Sequence, residues 1–167
     1  MRARDGAALT ILAALLLASG EGSAAAAHPV ASRTRAPAQP AGPTDPEVAS
    51  FVKLMNAHRR SLGLSALVWD SRAAAVAQAH SRDMFRQHYF SHTSLDGRST
   101  WDRVAERGIT YSQAGENIAW GQATGREVLT SWLHSPPHKA NIERGSYTHH
   151  GVGKAGTYWT HVFVRPL

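Results

Sequence analysis

The chain has 167 residues, with 18 Lys and Arg against 12 Asp and Glu, a formal charge of +6, and no cysteine. That length suits one folded domain behind a leader, and the missing cysteine excludes disulfides, a lipoprotein anchor and a thiol nucleophile. The basic residues are scattered, with no run of four and no interleaved aromatics, which favours a solvated basic surface over a nucleic-acid platform.

Residues 1–27 have the layout of an export signal. Arg2 and Arg4 lead, Ala7 to Ala18 is apolar, and Gly22 to Ala27 supplies small residues for cleavage. An apolar run of about 12 residues falls short of the roughly 20 a bilayer span needs, so the mature chain is expected to have no membrane span and to be secreted. Arg2 and Arg4 offset Asp5 and Glu21, which leaves the whole charge of +6 to the exported part. Outside a cell that charge meets anionic wall polymers and lipid headgroups. Residues 28–44 are rich in Pro, Ala and Ser without apolar periodicity, as expected of a disordered linker. The folded domain is expected over residues 45–167, as a monomer.

Asp45-Pro46-Glu47 opens a first helix, with Asp45 as N-cap, Pro46 at the first helical position and an apolar face through Phe51, Val52 and Met55. Gly63 ends it. Leu64 to Trp69 is an extended connector. Asp70 or Ser71 caps a second helix to about Gln87, whose Ala73, Val76, Ala77, His80 and Met84 follow the helical period. His80 on that stripe is expected to be a hydrogen-bonded core residue. Ser99 or Thr100 caps a short third helix from Trp101 to Arg107. Thr124 and Glu127 form a capping box for a fourth, which is expected to end at Ser135 because Pro136 and Pro137 cannot continue it. His134 and His138 are four apart, but the same prolines remove them as a helical metal pair. The glycines at 151 and 153 and the run Tyr158 to Val164 read as a hairpin. Helices first and strands late give an α+β layout.

Between the third and fourth helices lies Gly115-Glu116-Asn117-Ile118-Ala119. A carboxylate at the edge of an apolar run needs partners. His92, in Phe90-Ser91-His92, and His138, after the prolines, are candidates for a shared cleft with Glu116. Two imidazoles and one carboxylate suit zinc with open positions for water or ligand. Two plainer readings stand beside this one. Glu116 and Asn117 could satisfy backbone groups in a turn, or the trio could stitch the Ser91 loop to the Glu116 stretch.

Asn56-Ala57-His58-Arg59, Leu67-Val68-Trp69-Asp70, Phe90-Ser91-His92, Gly115-Glu116-Asn117-Ile118, Ser131 to Ile142 and Gly151-Val152-Gly153, in this order and spacing, resemble the CAP superfamily in its short bacterial secreted form. The resemblance covers about Glu47 to Phe163. It implies a three-layer α-β-α sandwich with a three-stranded antiparallel sheet and a cleft to one side. It also implies a cleft lined by two histidines and two glutamates, which in several members hold a divalent cation. His92 and Glu116 match the first of each. Ser135 stands at the second glutamate and Tyr158 at the second histidine, with His138 able to reach the same cleft. The expected cleft is therefore His92, Glu116, His138, Asn117, Ser91 and Tyr158, with His92, Glu116 and His138 as ligands to a divalent metal, zinc first.

For an enzyme, His92 and Glu116 supply a base and its orienter with Ser91 nearby, or a metal activates water. No Gly-x-Ser-x-Gly elbow and no phosphate-cradling glycine loop is present. The expectation is a secreted binding module for a wall, lipid or protein ligand, and the alternative is a secreted metal-dependent hydrolase using the same cleft.

Overall fold

The structure, a computed structural model, describes residues 42–167. The expected signal and most of the expected linker lie outside them. Five helices and four strands follow in chain order: α1 (Pro46–Ser61), β1 (Val68–Trp69), α2 (Ser71–Gln87), α3 (Thr100–Glu106), β2 (Tyr111–Trp120), α4 (Gly125–Leu133), α5 (Pro136–Glu143), β3 (His149–Ala155) and β4 (Tyr158–Pro166).

Local chemistry sets the helix starts. The Asp45 carboxylate accepts from the backbone N–H groups of Glu47 and Val48, and Asp70 does the same for Arg72 and Ala73. Ser99 with Asp102, and Thr124 with Glu127, form reciprocal capping boxes. Around Pro136 the expectation needs correction. Helix α4 stops at Leu133, and Pro136 and Pro137 then open α5. A proline that cannot continue a helix can start one, because the first turn needs no N–H from it.

The sheet order is β1-β3-β4-β2. It has four strands rather than the three expected, because the connector's Val68 and Trp69 pair in parallel with His149 and His150. The β3–β4 and β2–β4 pairings are antiparallel. Helices cover both faces, as the α-β-α sandwich requires.

Alternation along β4 divides the core. Trp159 and Phe163 face α1, α4 and α5, where they join Phe51, Met55, Val128 and Trp132. Val162 and Val164 face α2 and α3, with Ala73, Val76, Ala77 and Val104. Through the register of β2 with β4, Glu116 (opposite Val162) shares the α2 side and Asn117 (opposite His161) the α1 side. Two neighbouring polar residues are thus sent to opposite faces.

Helix α2 lies directly on β3. A Cβ added at Gly151 would overlap the backbone of Ala73 and Ala74, and one at Gly153 the backbone of Gln78. Backbone cannot rotate aside as a side chain can. Gly151→Ala is therefore expected to cost about 3 kcal/mol or more in a urea titration. Gly145→Ala, whose nearest contact would be an ordinary 3.6 Å to Leu64, should lie within about 0.5 kcal/mol of wild type.

Candidate functional site

Glu116 is a buried charge with every partner supplied by the α3 side. Its Oε1 accepts from His92 Nδ1 at 2.8 Å and from Thr100 Oγ1 at 2.9 Å, while Oε2 accepts from Arg103 Nη2 at 2.9 Å. Only 2% of the Glu116 side chain is exposed, against 54% for His92. Burial acts to raise the Glu116 carboxyl, but the His92 hydrogen bond, the Arg103 charge and lesser partners outweigh it and hold it below the ordinary range. An ionised carboxylate only accepts, so His92 Nδ1 carries the shared hydrogen and Nε2 is the ring's open position.

Arg103 holds this arrangement in place. Besides Glu116 it donates to the backbone oxygens of His92 and Arg98 and to the hydroxyls of Ser94 and Thr100. A seven-residue helix thus fixes both the loop that carries His92 and the strand that carries Glu116. Sequence reasoning missed Arg103 and Thr100. No spacing signal pairs an arginine with a carboxylate 13 positions on.

Around the exposed edge of His92 opens a cleft of about 510 Å³, lined further by Trp101, Asn141, Arg144 and Tyr147. It straddles β2, the edge strand. The outward carbonyls of that strand are covered from across the cleft: Tyr147 Oη donates to Ala114 O at 3.1 Å and Asn141 Nδ2 reaches Glu116 O at 3.4 Å. Gly115 permits this approach, since a Cβ there would strike the Tyr147 phenol. The Arg144 guanidinium stands 5.5 Å from the Tyr147 ring centre.

The other expected cleft residues are placed differently. His138 Nδ1 bonds Ser135 Oγ at 2.8 Å, and its ring lies against Trp132. Burial first, then the charge of nearby His92, lowers its pKa. It neighbours His92 without touching Glu116. Asn117 is fully buried, donating to His138 O at 3.0 Å and accepting from Asn141 Nδ2 at 2.8 Å, so it anchors α5 beneath the cleft. Ser91 Oγ accepts from Thr93 N, and the Ser91 carbonyl accepts from His80 Nε2. His80 is buried and hydrogen-bonded, as expected. Tyr158 is four residue pairs along the sheet from Glu116, stacked beneath Trp120 with ring centres 5.5 Å apart, and does not line this cleft. Its ring belongs to a small cluster with Met84 and Ile118.

This arrangement does not fit a divalent cation. Both Glu116 oxygens already accept hydrogen bonds, one of them from a guanidinium that would repel the ion. Among the described residues no group of three or more His, Cys, Asp or Glu side chains is placed to hold a metal.

Comparison with known proteins is consistent with this fold. The model of the CAP, cysteine-rich secretory protein, family matches residues 52–164. The uncharacterized protein YkwD of Bacillus subtilis is 42% identical over 115 residues, covering 68% of this chain and 45% of its own length. The uncharacterized membrane protein YlbC of the same organism is 40% identical, over 69% of this chain and 33% of its own. The chain therefore spans less than half the length of either relative. Among solved structures, an extracellular SCP-domain protein of Bacillus anthracis superposes with a TM-score of 0.68 at 33% identity, covering 75% of this chain and 45% of that one. An outer surface protein of Borrelia burgdorferi shares the fold with a TM-score of 0.70 at 20% identity, over 75% and 97%.

Proposed function

The chain belongs to the CAP family of cysteine-rich secretory proteins, although it has no cysteine, and from that premise we propose an exported binding module whose cleft takes an anionic wall polymer. One observation carries the reading. Among the described residues Glu116 is the sole carboxylate lining the cleft, and Arg103 and His92 already partner it, so Arg144 and the open edge of His92 are left to face an incoming ligand. Trp101, exposed at the rim, adds an aromatic face for a sugar ring. A carboxylate or phosphate on a glycan matches Arg144, and a glycan hydroxyl can donate to His92 Nε2.

Binding is favoured over turnover because the Thr100 and Ser99 hydroxyls at the cleft already donate to carboxylates. Thr100 donates to Glu116, Ser99 to Asp102, and Ser91 accepts from Thr93. The second reading, a hydrolase, rests on the His92–Glu116 pair, which has the form of a base with its orienter.

Titration of purified, fluorescently labelled wall polymer into the chain tests this. Arg144→Ala should weaken binding by about 10- to 100-fold, the worth of a charge-assisted pair, and Trp101→Ala by about 10-fold, with unfolding midpoints unchanged. Polymer binding indifferent to both variants would defeat the proposal. Turnover of wall, peptide or lipid substrates, with or without added zinc, that disappears in His92→Ala would establish the hydrolase instead.

A further inference from the structure

The opposite end of β2 carries an aromatic surface that the cleft does not use. Phe85 at the end of α2, Phe90 in the loop after it and Trp120 at the end of β2 are exposed by 46%, 48% and 59%. They form one surface rather than three separate rings. Trp120 stacks on Tyr158 at 5.5 Å, Phe90 meets Trp120 at 6.5 Å, and Phe85 meets Tyr158 at 6.2 Å. The β3–β4 turn is shaped to this surface, since a Cβ at Gly156 would press on the Phe85 ring. Three large apolar side chains kept in water at one end of a small domain cost stability unless something covers them.

The charges around the patch indicate what covers it. Arg82 lies one helical turn before Phe85, Arg86 beside it, and His88 at the helix end, all three exposed. Neither arginine has a carboxylate partner among the described residues. The nearby Asp83 is occupied, accepting from Tyr89 Oη and Gln87 Nε2, both at 2.6 Å. The surface is therefore apolar rings bordered by exposed arginines that form no ion pair among the described residues. Trp and Phe prefer the boundary between headgroups and acyl chains, and arginines beside them meet anionic headgroups.

We propose that Phe85, Phe90 and Trp120, flanked by Arg82 and Arg86, form a contact for an anionic lipid surface, separate from the polymer cleft. A stacked sugar fits less well. The Phe90 and Trp120 rings are tilted by 40° rather than coplanar, and the adjacent Tyr89 phenol is committed to Asp83.

The test is co-sedimentation of the whole chain with vesicles of phosphatidylcholine, with and without phosphatidylglycerol. The first 41 residues are common to every variant, so differences between variants belong to residues 42–167. Wild type should bind the anionic vesicles and sediment poorly with neutral ones. Arg82→Gln and Arg86→Gln should each weaken binding by about fivefold. Phe90→Ser should weaken it by about 10-fold or more, and it removes a ring whose recorded ring contact is with Trp120 alone. Trp120→Phe keeps the stack on Tyr158 and should abolish the strongest quenching by brominated lipid while the protein still sediments. Arg144→Ala should change nothing here, which separates this proposal from the one for the cleft. Equal binding to neutral and anionic vesicles, or vesicle binding indifferent to the arginine and Phe90 variants, would overturn it. So would capture by wall glycan, but not vesicles, that depends on Trp120.

Discussion

Arg103→Ala is expected to destabilise the protein by about 3–5 kcal/mol, read as a lower urea midpoint. The magnitude follows from what the substitution leaves behind. Glu116 would keep a carboxylate beneath the surface without its guanidinium, 2.9 Å away in the intact protein. The backbone oxygens of His92 and Arg98 and the hydroxyls of Ser94 and Thr100 would lose a donor at the same time. Because the pair is buried, added salt should rescue little. A second substitution separates the two contributions. Arg103→Met with Glu116→Gln removes both charges and should recover about half of the loss, the remainder being the untethered loop from His92 to Arg98. A loss below about 1 kcal/mol for Arg103→Ala would show that the carboxylate can be protonated or hydrated at little cost. Arg103 would then not be what fixes the His92 loop and the Glu116 strand beside the cleft.

The second large effect is acid unfolding. His150 and His161 are fully buried, and their imidazoles meet at 3.0 Å (Nδ1 to Nε2) between the rings of Phe51, Trp69, Trp132 and Phe163. His150 Nε2 and His161 Nδ1 have no further hydrogen-bond partner. The charged or titratable groups facing the pair are Arg59, a buried cation, and His149 beside His150. Burial first, and then these neighbours, push His150 down to about 3 and His161 well below the ordinary imidazole range.

The folded protein therefore resists protons that the unfolded chain accepts at about pH 6.5. Stability is complete above that value and falls as the pH drops from about 6.5 towards 3. The loss is about 1.4 kcal/mol per pH unit for each such histidine, or about 4–5 kcal/mol for His150 alone. His80, also held low by burial, contributes with the same sign. His161→Gln keeps a hydrogen-bonding amide beside His150 and removes one titrating ring. Its stability should fall with pH by one proton's slope less than wild type between about pH 6 and 4, measured by urea midpoints at stepped pH. Parallel slopes for the two proteins would show that the pair does not drive the acid response.

Much of the architecture is legible along the chain because it is written in local pairs. Asp45, Asp70, Ser99 and Thr124 announce their helices through bonds to backbone groups two or three residues on. The family motifs identify the sandwich, and they also mark residues whose work is structural. Asn56 exchanges hydrogen bonds with the Leu67 backbone, and the buried Arg59 binds the carbonyls of Ser65, Ile142 and Arg144. Strand β2 was less visible. Packed on both faces, its residues from Gly115 to Ala119 are all buried, so the apolar–polar alternation of a one-sided strand is missing.

The sequence by itself determined α1 to α4 and the turns, and offered His92 as a partner for Glu116, since local hydrogen bonding and a recognisable motif order are enough for these; α5, opened by Pro136 and Pro137, was not read from it. Tertiary structure alone decided that Arg103 neutralises Glu116, that Asn117 turns to the other face, that Tyr158 lies under Trp120, and that Arg144 and Trp101 define the cleft. The reason is geometric. Strand register assigns each side chain to a face, and packing joins residues far apart in the chain, so neither leaves a period or a spacing in the sequence.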